Sequence, residues 1–230
     1  MIQNKRDLGG LRAADGRRIL PGMLIRSAHL FQAEDADLRG VSAVIDLRTP
    51  GERREAPDRV HGRTYLPLPI FENLTAGVSH EQEAEVQPFL DMAGIYRRVV
   101  TECAAALGRV LLTILRHDFS GGAILWHCTE GKDRCGLTTA LVLEALGVDR
   151  ADILADYLKT NEVNLPKALA IRRQAAAARG EAFAESVYQA YIADERYLLA
   201  AWDAMGSGYL TDTLGIPAEA VARFRRTVLA

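Results

Sequence analysis

The chain has 230 residues, 49% of them hydrophobic and 25% charged, with a formal net charge of −2. That length and composition suit a globular protein with one large core, and they give no electrostatic basis for binding nucleic acid. The arginine pairs Arg53/Arg54, Arg97/Arg98, Arg172/Arg173 and Arg225/Arg226 are scattered and read as solvated helix faces, so any anion site has to be local. The opening MIQNKRDLGG lacks the apolar core of a signal peptide, and no window approaches the roughly 18 apolar residues of a membrane span. A cytoplasmic location without a transmembrane segment is therefore expected, with non-classical secretion left open. The three cysteines, Cys103, Cys128 and Cys135, include no CxxC and make no disulfide framework, and the histidines lack zinc-ligand spacing. No metal and no other cofactor is expected.

In chain order, LRAADGRRILPGMLIRS places Asp15-Gly16 and Pro21-Gly22 between short apolar segments, which predicts small strands or a hairpin. VSAVIDLR, at residues 41–48, is a β-branched run of the kind that forms a buried strand, and RTYLPLPI, at 63–70, resembles a second. Apolar residues then recur at helical spacing, at Val99, Val100, Cys103, Leu107, Val110, Leu111 and Ile114. They predict one long helix over 95–116, with Cys103 in the core. Ser120-Gly121-Gly122 ends that stretch, and AILWH, at 123–127, is a short apolar strand with Trp126 in the core. Beyond residue 136 helices are expected almost to the end, with breaks near Gly147, Pro166, Gly180, Gly206-Ser207-Gly208 and Pro217. Alternating strands and helices followed by helices predict an α/β fold: a single domain over 1–230, with a central, mostly parallel sheet flanked by helices and a helix-rich C-terminal part.

HCTEGKDRCG, at residues 127–136, falls between the AILWH strand and a helix-like run. A loop from a strand end into a helix N-terminus aims successive N–H groups at one point, where the helix dipole adds partial positive charge, and such loops bind anions. Cys128 opens the loop and Arg134 lies near the helix start. The thiol is thus expected at the bottom of a cradle formed by Thr129, Glu130, Gly131, Lys132, Asp133 and Arg134, with the guanidinium as a planar fork for two phosphate oxygens. The same field favours a thiolate, which makes Cys128 a nucleophile at neutral pH. Gly131 allows a mid-loop conformation that a side chain would obstruct, and Gly136 lets the helix start pack closely. Lys132 adds a second cation and Asp133 a candidate proton donor.

This stretch resembles the phosphate-binding loop of the cysteine-dependent phosphatases. Its His-Cys-x-x-Gly-Lys-Asp-Arg-x-Gly form is similar to that of the bacterial atypical tyrosine phosphatases, the tyrosine-phosphatase-B-like group, which includes dual-specificity and phosphoinositide-active enzymes. NKRDLGG (4–10), LIRSAHL (24–30), VIDLRTPGER (44–53), YLKTN (157–161) and GSGYLTDTLGI (206–216) are similar to that family's other landmarks. The resemblance implies the cysteine-dependent phosphatase fold and metal-independent hydrolysis of phosphate monoesters, on phosphotyrosine or phosphoserine/threonine proteins or on phosphoinositides, through a thiophosphate on Cys128. It implies Arg134 as the phosphate clamp and, since no Trp-Pro-Asp triplet occurs, Asp133 as the acid. Asp46, at a strand end where parallel sheets line binding crevices, is the fallback acid, although pairing with Arg48 or capping a turn would explain it equally. Lys5 stands where the family has Phe, and Cys135 where it has Thr. That hydroxyl hydrogen-bonds the catalytic sulfur, and a thiol donates more weakly, which implies slower turnover here.

His127 is expected to bond backbone at the loop base and tune the thiol rather than act as a base. Arg6, Asp7 and Arg26 are read as braces between the N-terminal segment and the loop, and Glu130 as turned outward, because an inward carboxylate repels phosphate. A pseudophosphatase would keep the cradle without chemistry, yet Cys128, Asp133 and Arg134 are all retained. Sulfur-transfer and arsenate-reductase loops rarely close with Lys-Asp-Arg-x-Gly. A dedicated phosphoinositide phosphatase stays open, since Lys132 resembles the extra loop lysine of lipid-directed members. The expected partner is a phosphorylated protein or a phosphoinositide. Oligomeric state, and whether residues 71–88 form a lid, are left open.

Overall fold

The computed structural model of the chain describes residues 2–71 and 91–230. Its sheet contains β1 (Arg6–Asp7), β2 (Leu24–Ser27), β3 (Val41–Asp46), β4 (Thr64–Pro67) and β5 (Ala123–His127), in the order β1-β2-β5-β3-β4. The last four in that order pair in parallel, and β1 closes one edge antiparallel to β2. Of the small strands or hairpin predicted over 11–27, β2 and an antiparallel bridge between Arg12 and Arg18 are present, whereas β1, the partner of β2, precedes that segment; the apolar runs at 41–48, 63–70 and 123–127 contain β3, β4 and β5. Side chains alternate across β5: Ile124 and Trp126 enter the main core, while Ala123 and Leu125 enter a smaller one with Ile25, Val41 and Val44. A strand buried on both faces has no polar positions, which is why AILWH reads as a continuous apolar run.

The helices among the described residues are α1 (Pro50–Glu55), α2 (Met92–Glu102), α3 (Ala104–Leu115), α4 (Asp133–Leu146), α5 (Arg150–Leu158), α6 (Thr160–Arg179), α7 (Glu181–Tyr191), α8 (Glu195–Met205) and α9 (Ala218–Val228). The main core joins one face of the sheet to α2, α3, α4, α5, α8 and α9, and it runs in sequence from Leu8 to Leu229. The other face is covered by the stretch after β2, through Leu30, Ala33 and Leu38, and by Ile2. No described helix is long and apolar enough to cross a membrane.

Several helix boundaries differ from the sequence expectation, among them unpredicted breaks at Lys159, between α5 and α6, and at 192–194, between α7 and α8. The single helix over 95–116 is two, bent at Cys103 (φ −105°, ψ 18°), because α2 packs against α8 whereas α3 packs against α4 and α9. Backbone hydrogen bonds continue on both sides of the bend, so periodicity passes through it undisturbed. Cys103 is buried in the core as expected. Pro166 does not break the chain; it lies inside α6, which packs along α7. The other expected breaks fall at helix ends: Gly147 and Gly180 close α4 and α6, Gly206 closes α8, and Pro217 caps α9. Apart from Phe71, the segment considered as a lid lies outside the described residues.

In register, Asp46 of β3 and Ser27 of β2 stand beside His127 of β5. The loop after β5 therefore opens at the carboxyl ends of the parallel strands, where open α/β sheets place their binding crevices.

Candidate active site

The loop bends from β5 into α4 over residues 128–132. Gly131 has φ +67°, and a Cβ there would stand 2.7 Å from the Ser27 carbonyl, so both conformation and space call for glycine. Asn4 donates to the carbonyls of Glu130 and Gly131 at 3.0 Å each, and Arg26 donates to that of Gly131 at 2.7 Å. Arg26 and Arg6 both pair with Asp156 of α5, at 2.9 and 2.8 Å, which ties the loop to the helical layer. The expected bracing by Arg6 and Arg26 is present. Asp7 instead holds the amides of Gly9 and Gly22 and closes the N-terminal turn away from the loop.

Lys132 takes the N-cap position of α4, and no described side chain caps that end. The first amides of the helix are thus left to the loop, and Cys128 lies in front of them, 3% exposed. Burial alone would favour the neutral thiol. The Cys135 thiol and amide, which hydrogen-bond to the sulfur, and the nearby Arg134 charge outweigh it and lower the pKa from 9.0 to about 6. Cys135 is itself fully buried, with Sγ 3.5 Å from the Ser27 carbonyl oxygen, and burial pushes its own pKa well up. A protonated thiol thus stands where the family has a hydroxyl, between the Cys128 sulfur and the Ser27 carbonyl that accepts from it.

Arg134, in the first turn of α4, meets Glu52 of α1 through both terminal nitrogens, at 2.7 and 2.6 Å, and donates to Thr129 Oγ1 at 3.2 Å. Its guanidinium lies 5.4 Å from the centre of the Phe71 ring. Thr49 and Glu52 form the capping box of α1, with Pro50 at its first position, so one carboxylate starts the helix and aims the arginine. Burial opposes the charged form of Glu52, but its hydrogen bonds with Arg134 and that charge bring the pKa from 4.5 to about 2.

Asp133 begins α4. Tyr96 of α2 donates to its Oδ1 at 2.7 Å, and the Lys132 ammonium stands 3.2 Å from the same oxygen. Lys132 departs from the expectation of a second cation in the cradle. It is 1% exposed, and its ammonium donates to the carbonyls of Ala190 and Ile192 at the end of α7, the latter at 3.0 Å. A helix N-cap residue directs its side chain away from the axis, and buried carbonyls stand where Lys132 arrives. Glu130 is turned outward as expected, 2.7 Å from Lys167 of α6.

Beneath the loop, His127 is fully buried, with Nδ1 3.3 Å from the Cys128 carbonyl oxygen and Nε2 2.9 Å from Asp58. Asp46 is also fully buried. Arg48 donates to both of its carboxylate oxygens, at 3.0 and 2.8 Å, and Tyr65 donates to it at 2.7 Å. Burial works against that charge, but Arg48 and the His127 ring hold the Asp46 carboxyl far below its ordinary range. The pairing with Arg48 that the sequence allowed for Asp46 is present, and it favours the ionised carboxylate. Asp46, Asp58 and His127 approach closely enough to chelate a cation. The Arg48 guanidinium lies 2.8 Å from both carboxylates, however, so a metal ion there would have to displace it.

The profile of the tyrosine phosphatase family matches residues 1–230. This chain belongs to that family. It is 34% identical to a putative tyrosine-protein phosphatase of Cupriavidus necator, over 71% of this chain and 62% of that protein. It is 35% identical to the triple specificity protein phosphatase PtpB of Mycobacterium tuberculosis, over 62% of each chain. A tyrosine-protein phosphatase of Nostoc commune is 28% identical over 58% of this chain. The match thus spans 62% of the length of each of the first two relatives.

For this tyrosine phosphatase family member, sequence reasoning brought Cys128, Thr129, Arg134, Asp133 and Cys135 to one place, with Arg6 and Arg26 as braces, and missed the other groups that hold them. Thr49-Pro50-Gly51-Glu52 carries the capping-box signature, and a lone carboxylate near the site was the available clue to the partner of Arg134. Nothing local marks Asn4, Asp58, Tyr96 or Asp156: the contacts that tie Asn4 to Glu130, Asp58 to His127, Tyr96 to Asp133 and Asp156 to Arg6 each span at least 37 residues.

Proposed function

We propose that residues 1–230 act as one domain that hydrolyses phosphate monoesters on proteins, phosphotyrosine first among them, through a phosphocysteine at Cys128. One observation carries this reading: the Cys128 sulfur lies before the uncapped N-terminus of α4, and Arg134 is held beside it by Glu52. The Cys128 thiolate attacks phosphorus, forming the S–P bond as the bond to the leaving oxygen breaks. Arg134 and the loop amides follow the charge on the remaining phosphate oxygens. Asp133 gives its proton to the leaving oxygen and then takes one from the water that cleaves the S–P bond. Cys135 donates to the departing sulfur. Asp46, His127 and Arg48 support the loop from below without touching the reacting atoms. The printed names of the relatives, tyrosine-protein phosphatase and triple specificity protein phosphatase, support a protein substrate.

The test is hydrolysis of an aryl phosphate and of phosphotyrosyl, phosphoseryl and phosphothreonyl peptides with EDTA present. Activity should persist, orthovanadate should compete, and Cys128→Ser should abolish turnover while still binding tungstate. Substantial activity in Cys128→Ser, or dependence on a divalent ion, would overturn the proposal. The rival reading is a dedicated phosphoinositide phosphatase. It is disfavoured by Lys132, whose ammonium is engaged with Ala190, Ile192 and Asp133 and so is not presented to a second phosphate. Lys132→Met should lower thermal stability and leave the ratio of peptide to phosphoinositide turnover unchanged. A selective loss of phosphoinositide turnover would favour the rival.

A further inference from the structure

We infer that Tyr96, backed by Tyr157, is the positioning residue for the acid of this reaction: a two-phenol relay from α2 and α5 that fixes the orientation of the Asp133 carboxyl. The inference rests on the reading of Asp133 as proton donor.

Tyr96 is fully buried and Tyr157 is 1% exposed. A buried phenol has to find a hydrogen-bond partner. Tyr96 lies 2.7 Å from Asp133 Oδ1, and the two hydroxyls lie 2.7 Å from each other. Each phenol has one proton. The carboxylate is the stronger acceptor, so the Tyr96 proton points to Asp133, and Tyr157 donates in turn to Tyr96. Burial, with Asp133 close by, pushes both phenols well above their ordinary range, so they remain donors at every pH at which the enzyme works.

Two donors converge on Oδ1, since the Lys132 ammonium is 3.2 Å from the same atom. The carboxyl plane is thereby set before substrate arrives. The rings are set too. Tyr96 packs edge-on to Tyr157, with centroids 6.4 Å apart, and against Tyr197 of α8 at 5.6 Å. Tyr157 lies so close to α4 that a Cβ at Gly136 would fall 2.8 Å from its ring. The glycine that ends the loop signature thus lets the relay reach Asp133.

The experiment measures kcat/KM for wild type, Tyr96→Phe, Asp133→Asn and the double variant on aryl phosphates of graded leaving-group pKa, together with pH profiles. Phenylalanine keeps the ring packing and removes one hydroxyl. Tyr96→Phe should lower kcat/KM about tenfold for phenyl phosphate and less than about twofold for a dinitrophenyl phosphate, with the loss in kcat rather than KM. Asp133→Asn should show the same pattern more steeply, and adding Tyr96→Phe to it should cost nothing further, because Tyr96 acts through Asp133. Equal losses on all substrates, or an additive loss in the double variant, would overturn the relay. If Asp133→Asn itself shows no leaving-group dependence, the acid assignment fails, and the relay with it. Should Tyr96→Phe not fold, Tyr157→Phe tests the same chain one bond further out. A selective loss of about threefold on phenyl phosphate would support the relay, and a uniform loss or none would overturn it.

Discussion

Replacing Cys135 with alanine removes one of the three influences that keep the Cys128 sulfur charged. The fall in pKa from 9.0 to about 6 corresponds to about 4 kcal/mol in favour of the thiolate, net of burial. A hydrogen bond to a charged acceptor is worth about 1.5–3 kcal/mol, and a thiol is a weak donor, so the Cys135 side chain is assigned about 1 kcal/mol of this. The titration midpoint should then rise from about 6 to about 7, and the thiolate fraction at pH 7 should drop from about 90% to about half. Cys135→Ser, with a stronger donor, should leave the midpoint at or below that of wild type. The assay is the rate of alkylation by iodoacetamide against pH, followed by the mass of the peptide carrying Cys128. It reports this thiol selectively, because all three cysteines are buried but the pKa of Cys128 is lowered while those of Cys103 and Cys135 are raised. An alanine variant that titrates with the wild type would show that Cys135 does not donate to the sulfur. A wild-type midpoint near 9 would remove the electrostatic case for the cradle altogether.

Glu52→Gln should lower kcat/KM by freeing Arg134, and should also change stability with pH. The folded carboxyl titrates below the unfolded one, so its contribution is present above pH 4.5 and is lost as pH falls through about 2. Full conversion gives about 3 kcal/mol, which partial solvent exposure reduces to about 1–2. Urea unfolding should show that deficit at pH 7 and roughly half of it or less at pH 3, and a constant deficit would contradict the ion pair. Asp133→Asn should flatten the alkaline limb of the pH–rate profile, whereas Asp46→Asn should leave leaving-group dependence unchanged and destabilise the protein by about 3 kcal/mol, since it strands the buried Arg48. A leaving-group effect in Asp46→Asn would reverse the two roles. Cys135→Thr should speed phosphoenzyme breakdown by a few fold, an effect of about 0.5–1.5 kcal/mol, and a rapid-quench burst that is not smaller than in the parent would contradict it.

The sheet was legible because its central strands are buried on both faces: AILW is an unbroken apolar run, and VSAVI is interrupted only by Ser42. The loop was legible because its residues are contiguous and each meets a local demand, the +67° φ of Gly131 among them. Illegible features depend on distance along the chain. Glu52 and Arg134 are 82 residues apart, and Tyr96 and Asp133 are 37 apart. The bend at Cys103 answers to which helices α2 and α3 each pack against, a tertiary preference that periodicity cannot express. Lys132 was misread for a related reason: its position in the loop suggested the cradle, but the carbonyls at the end of α7 claim it.

The central claim is that phosphate passes through the Cys128 sulfur. Acid quench during turnover of an aryl phosphate, followed by peptide mapping, tests it most directly. A phosphorylated peptide spanning Cys128 should appear in the wild type, accumulate in proportion to the burst, and be absent from Cys128→Ser. Phosphate trapped on any other residue, or steady turnover in Cys128→Ser, would contradict the account.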